Sequence, residues 1–196
     1  MTSRVTLISP ATNPSLRQNR FDDGRTPLDD NGAARARAAA RMPRSPARVV
    51  TSPSMRCRET AAALGLGDAE PVAELAGLHV GRWQGRTLDD VSAAEPEAVV
   101  QWLADPASAP HGGESVQELC LRVGRWLDST SKADGRTVAV VEPDVVRAVV
   151  VQVLGTPVPA FWRADVPPLT ATAISGRTGR WNLRVGHPLG PRDAHG

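Results

Sequence analysis

Six side chains have the type and local setting to do chemistry: Ser9, Arg17, Arg56, His111, Glu114 and Glu142. Ser9 and Glu142 each close a short apolar run and each precedes a proline, as VTLI-Ser9-Pro10 and TVAVV-Glu142-Pro143. In open α/β sheets the carboxyl ends of strands are where ligands sit. Ser9 therefore either caps a strand end or touches a ligand. Arg56 carries a planar fork of donors suited to phosphoryl or carboxylate oxygens. A Glu142–Arg56 ion pair would fill an anion site with an internal carboxylate. Arg17 and Arg20 lie in a polar loop that can approach such a cleft. His111 and Glu114 flank Gly112-Gly113. An imidazole can exchange a proton near neutral pH. A Glu at a helix start also simply favours the dipole, so Glu114 has a structural reading beside a pocket reading. Of the other histidines, His79 reads as structural or surface, and His187 and His195 lie in or near the tail. Glu74 reads as solvent-exposed and Trp83 as core.

These groups need a scaffold. Val5–Ile8 and Val49–Thr51 read as short strands. Thr137–Val141 lacks polar alternation, which suits a central strand covered on both faces. Helices are expected over 32–41, from Ser52 through Leu64, over Thr87–Ala93 and Pro96–Ala104, over Glu114–Leu127 and over Val145–Leu154, the last stopped by Gly155. In the 114–127 segment Val116, Leu119, Cys120, Val123 and Leu127 recur at helical spacing. Thr170–Ser175 and Trp181–Val185 suggest an antiparallel hairpin at a sheet edge. Asn13–Thr26 reads as a long loop. Alternating strands and helices predict an α/β three-layer sandwich, a mostly parallel central sheet with helices on both faces. One domain is expected over 1–187, with a disordered tail over 188–196.

Bulk properties exclude several classes. The 196 residues carry a net charge of +2, with 23 basic and 21 acidic residues spread along the chain. Scattered charge without a basic run argues against nucleic acid. No stretch approaches the ~18 apolar residues of a membrane span, and Met1–Val5 lacks the apolar core of a signal peptide. A cytoplasmic location follows as the expectation. Cys57 and Cys120 belong to no Cys-x-x-Cys pair, so buried thiols are expected, with no metal and no cofactor.

Several segments, in order, resemble the histidine phosphatase superfamily (phosphoglycerate mutase-like). They are the strand VTLI with a polar Arg17-Gln18-Asn19-Arg20 loop, and Ser52-Pro53-Ser54-Met55-Arg56-Cys57-Arg58-Glu59-Thr60-Ala61. Then come Gly81-Arg82-Trp83-Gln84-Gly85, Gly112-Gly113-Glu114-Ser115, and TVAVV leading to Val145-Val146-Arg147-Ala148. The resemblance covers residues 4 to 186 and implies the family's α/β fold. It also implies a phosphoryl site with a nucleophilic His, a second His, arginines and a carboxylic acid. In this sequence Pro10 stands in the nucleophile's position, and proline has no nucleophilic side chain. Glu142, or Pro143 with a one-residue shift, takes the second His position. Gly77 takes that of the acid. Glu142 would set a negative charge beside phosphoryl oxygens, at a cost of about 4 kcal/mol at ~4 Å and an effective dielectric of ~20.

The expectation from these replacements is a degenerate member, a pseudoenzyme without phosphohistidine chemistry. Its former phosphate cleft would bind a metabolite or a protein partner. The alternatives are two. One is a phosphomonoesterase of sugar-phosphate, phosphoglycerate or α-ribazole-phosphate type with a non-histidine mechanism, using Glu142 or His111 as a base. The other is a different reaction on a non-phosphorylated substrate. Many members of the family are dimers, so a homodimer stays open.

Overall fold

The computed structural model describes residues 2–40, 48–131, 135–177 and 179–189. In chain order the elements are β1 (Ser3–Ile8), α1 (Pro14–Arg17), α2 (Asp30–Ala38), β2 (Arg48–Thr51), α3 (Met55–Ala63) and β3 (Glu70–Pro71). There follow α4 (Leu88–Ala94), α5 (Pro96–Ala104), α6 (Val116–Ser131), β4 (Arg136–Val140), α7 (Pro143–Leu154), β5 (Thr170–Arg177) and β6 (Arg180–Pro188). Short 3-10 turns occur at Ala73–Leu75, Gly81–Trp83 and Val158–Arg163.

The strands form one sheet in the order β3-β2-β4-β1-β5-β6. The β3–β2, β2–β4 and β4–β1 pairings are parallel; β1–β5 and β5–β6 are antiparallel. This is the expected α/β architecture, with the late hairpin at one edge. The sheet is covered on both faces, which explains the unbroken apolar run of β4. Ala139 and Val141 pack with Val5, Leu7 and the apolar stripes of α6 and α7. Val138 and Val140 pack with Ile8 and with Cys57, Ala61 and Leu64 on and after α3. Both cysteines are buried and free. Each fully buried Val or Leu contributes about 1.5–3 kcal/mol relative to an exposed one.

Several boundaries differ from the sequence expectation for identifiable reasons. The loop over 13–26 contains α1, because the Asn13 side chain caps Leu16 and Pro14 occupies the first turn. Helix α3 starts at Met55 rather than Ser52, because Ser54 is its N-cap and accepts from the Cys57 amide at 3.3 Å. Helix α6 starts at Val116, where Ser115 and Glu118 form a reciprocal capping box at 2.8 and 3.2 Å. Glu114 therefore precedes the helix instead of lying in its first turn. Gly155 ends α7 at φ 62°, the left-handed stop expected. Strand β6 runs to Pro188, and residues 190–196 of the expected tail, with His195, lie outside the described residues, as does Arg41 of the helix expected over 32–41.

The two glycine motifs dock onto each other. The Glu114 amide donates to the His79 carbonyl at 2.7 Å, and the Arg82 amide to the His111 carbonyl at 3.1 Å. A Cβ on Gly113 would lie 1.9 Å from the His79 oxygen. The spacing of both motifs is thus set by close backbone contact. Among the described residues no helix is long and apolar enough to cross a membrane.

Candidate active site

Three parallel strands, β1, β4 and β2, end side by side, and each runs into an X-Pro step: Ser9-Pro10, Glu142-Pro143 and Ser52-Pro53. Proline fixes φ and offers no N–H, so the chain leaves the sheet abruptly at each end. The opening left above these ends is a cleft of about 1120 Å³. Pro10, Ser54, Arg56, Gly77, Glu142 and Asp144 are among its lining residues.

A buried ion pair sits in this cleft. Arg56 Nε donates to Glu142 Oε1 at 3.0 Å and to Oε2 at 2.9 Å, and Nη2 donates to Oε2 as well. Ser54 Oγ donates to Oε1 at 2.7 Å while also capping α3. The Cys57 thiol reaches the same oxygen at 3.5 Å. Both charged side chains are only 8% exposed. Burial pushes the Glu142 carboxyl up, but the Arg56 charge and the bonds from Arg56, Ser54 and Cys57 outweigh it and hold the carboxyl below its usual range. Burial likewise disfavours charged Arg56, and Glu142 more than compensates. Burial and then the Glu142 charge push the Cys57 thiol well up, so it stays protonated and is no nucleophile.

Glu142 does not cap α7 with its side chain. It turns instead towards Gly77, where an added Cβ would stand 3.0 Å from Glu142 Cγ. The missing side chain at 77 and the glutamate at 142 are therefore one spatial event: Glu142 occupies room that Gly77 leaves. Because the Glu142 carboxylate is pinned by its bonds, it cannot step aside. Gly77→Ala is expected to destabilise the fold by about 1–3 kcal/mol, the usual cost of overpacking. Thermal unfolding followed by circular dichroism measures it.

The remaining sequence candidates are dispersed. Ser9 is buried, with its hydroxyl bonded to the Pro167 carbonyl and the Thr170 amide at 3.1 Å from the latter; it clamps β1 to the β5 start and is absent from the cleft lining. Arg17 pairs with Asp29 at 2.9 Å, also away from the lining. Arg20 does line the cleft, with its guanidinium on the Gly85 carbonyl and on Gln18. Glu114 pairs with Arg122 at 2.7 Å on a separate shallow depression. His111 is buried among aromatic rings, 5.0 Å from Trp83 and 6.1 Å from Trp102 between centroids. Its Nδ1 accepts from the Gly113 amide at 3.0 Å, and Nε2 has no partner among the described residues. Burial, and then the charges of Arg82 and His79, hold its pKa down, so the ring is neutral. His79 lines the cleft, Glu74 lies in the 3-10 turn before it, and His187 is exposed on β6. Among the described residues no group of three or more His, Cys, Asp or Glu is placed to hold a metal ion.

Sequence reasoning missed Asp144. It follows Pro143 in the first turn of α7 and lines the cleft. Its side chain is 31% exposed, but the cleft walls remove much of its hydration. This desolvation raises its pKa, against the opposing charge of Arg147, whose Nη1 lies at 3.3 Å. The nearby Glu142 carboxylate raises it further. Asp144 and Glu142, two residues apart, are thus driven in opposite directions. The only sequence signal was an acid next to the strand end, and that position is also ordinary for a helix start.

The fold and cleft define an α/β protein with a cleft at the carboxyl ends of its parallel strands. The model of the histidine phosphatase superfamily, branch 1, matches residues 13–186. A glucosyl-3-phosphoglycerate phosphatase of Mycolicibacterium vanbaalenii is 33% identical over 190 residues, 80% of this chain and 84% of that protein. The structure of a mycobacterial glucosyl-3-phosphoglycerate phosphatase complexed with VO3 superposes with a TM-score of 0.83 at 26% identity, over 94% of this chain and 98% of that one. The α-ribazole phosphatase of Shigella flexneri has the same fold, with a TM-score of 0.82 at 23% identity over 97% and 100% of the two chains. The chain belongs to the histidine phosphatase superfamily. Its relatives carry the names of phosphatases, and this overturns the expectation of a pseudoenzyme.

Proposed function

We propose that the chain is a phosphomonoester hydrolase whose reaction does not pass through a phosphohistidine. Pro10 cannot attack phosphorus, and the Glu142 carboxylate is consumed by Arg56, Ser54 and Cys57. Glu142 is also too weak a base, since its pKa is held down. His111, shut into the aromatic cluster, does not reach the cleft. Neither residue supplies the base expected from sequence.

The observation that carries the reading is Asp144 beside Arg147 in the cleft, where desolvation raises the pKa of its carboxyl. Phosphoryl transfer from a monoester runs through a loose transition state, in which little bonding to the nucleophile has formed. Water therefore suffices as nucleophile if the leaving oxygen is protonated and the phosphoryl charge is held. Asp144 gives its proton to the leaving alcohol oxygen as the P–O bond breaks; water forms the new P–O bond and its proton returns to solvent or to Asp144. Arg147 and Arg25 line the cleft and can take phosphoryl oxygens: Arg25 makes no ion pair among the described residues, and Arg147, which pairs with Asp144 through Nη1 at 3.3 Å, is held in place by its Nε bond to the Ala164 carbonyl at 2.9 Å. A phosphoryl dianion at Arg147 draws that charge from Asp144, which strengthens Asp144 as a proton holder until the bond breaks. Arg56, locked to Glu142, orders the cleft floor.

Release of inorganic phosphate from alkyl phosphomonoesters, including 3-phosphoglycerate and glucose phosphates, tests the reading. Turnover above buffer, with KM raised in Arg147→Ala, is expected. No release from any ester of the panel contradicts it.

A further inference from the structure

We infer that the alcohol part of the ester taken by this cleft is apolar and ring-bearing, an aryl or arylalkyl group rather than a sugar; this rests on the phosphomonoester reading. The lining carries two kinds of side chain. Ser54, Arg56, Glu142, Asp144 and Arg147 are polar or charged. Leu16, Phe21, Leu88, Trp102, Leu103 and Trp162 are apolar and aromatic. Leu16 and Leu88 are 41% exposed and Leu103 48%, and all three line the same cleft. Leaving apolar surface in water costs about 25 cal/mol per Å², and its concentration in one place marks a binding surface.

The aromatic part of the lining is rigid. Trp102 and Trp162 meet edge-to-face at 4.5 Å and 66°, and Phe21 meets Trp102 at 5.8 Å and 73°. Rings fixed in this way offer a flat third ring the same edge and face contacts. The volume of about 1120 Å³ leaves room for such a group beyond a phosphoryl moiety. A cleft that offers Arg147 and Arg25 as well as these apolar side chains fits an amphiphile with one anionic end. A polyhydroxy group against Leu16, Leu88 and Leu103 would leave without partners every hydroxyl not within reach of Asn19, Arg20 or Gln84 of the same lining.

The test compares 2-(1-naphthyl)ethyl phosphate with glycerol 2-phosphate, two alkyl esters that both need a protonated leaving oxygen, with 1-naphthol binding followed by calorimetry. The naphthyl ester is expected to show kcat/KM higher by about 10-fold or more, the range over which apolar pockets discriminate. 1-Naphthol is expected to bind and to compete. Leu103→Gln and Leu88→Gln, at partly exposed positions that tolerate the change, are expected to collapse the preference. Equal kcat/KM for the two esters with no 1-naphthol binding overturns the inference and leaves the hydrolytic reading standing. Binding of 1-naphthol that Leu103→Gln weakens, with neither ester hydrolysed, upholds the ring subsite and contradicts the hydrolytic reading.

Discussion

Asp144→Asn is expected to lower kcat for alkyl phosphomonoesters by about 10²–10⁴-fold, the usual contribution of a positioned general acid. Asparagine keeps the size of the side chain but has no proton to give at that oxygen. The loss depends on the leaving group. An alkyl alkoxide needs the proton, so the full loss appears with glycerol 2-phosphate. p-Nitrophenolate leaves well without one, so the loss with p-nitrophenyl phosphate is expected to be small. A merely structural role for Asp144 would lower both rates together. The pH profile carries a second signature. Desolvation raises the Asp144 pKa, and the acid must be protonated, so the rate falls as pH rises through that raised value. Asp144→Asn removes this alkaline limb. Stability follows the same sign: burial penalises ionised Asp144, so the fold loses some stability as pH rises from the ordinary Asp pKa through the raised one. The ion pair with Arg147 partly offsets this loss.

Glu142→Ala is expected to give the largest loss of stability of any single change in the cleft. It leaves the buried Arg56 guanidinium without its carboxylate, which costs about 3–5 kcal/mol. For a chain of this size that lowers the unfolding midpoint by roughly 2–4 °C per kcal/mol. Replacing both charges, as in Arg56→Met with Glu142→Leu, is expected to restore most of the loss, because a buried pair contributes little over an apolar isostere while a lone buried charge is costly. Scanning calorimetry of the two single variants and the double variant checks this; a double variant as unstable as the singles added together would show the residues to be independent. The pair also sets a pH dependence. The Glu142 pKa is depressed in the folded protein, so its contribution is complete above the ordinary Glu pKa and disappears as pH falls through the depressed value.

Much of the scaffold was legible in the sequence because its signals are local. TVAVV reads as a strand covered on both faces, and the α6 stripe of Val116, Leu119, Cys120, Val123 and Leu127 reads as a buried helix face. The Arg56–Glu142 pair was also legible, because each residue sits at a recognisable place: the first turn of the helix after β2, and the end of β4. What local reading could not supply was the company kept across the fold. His111 stands beside two glycines, which suggests a cleft mouth, but Trp83 and Trp102 enclose it from distant segments. Arg17 belongs to the right loop, yet Asp29 draws it outwards. Asp144 looks like any acid at a helix start until Arg147, Glu142 and the cleft walls are in place around it. Burial and its effect on a proton are properties of that assembled environment.

The expectation that Pro10 and Glu142 stand at the family's histidine positions gained its meaning in the same way. Read alone, it suggested lost activity. In the structure Glu142 fills the space beside Gly77 and neutralises Arg56, while desolvation raises the pKa of a second carboxyl, Asp144, beside an arginine in the same cleft.

A rapid-mixing time course of p-nitrophenyl phosphate hydrolysis, followed at the first turnover, tests the central claim most directly. Direct attack by water forms no covalent enzyme intermediate, so nitrophenol is expected to appear linearly from the start and in step with phosphate. A burst of nitrophenol stoichiometric with the protein, ahead of phosphate, would reveal a phosphorylated side chain and contradict the account, as would the absence of any release above buffer.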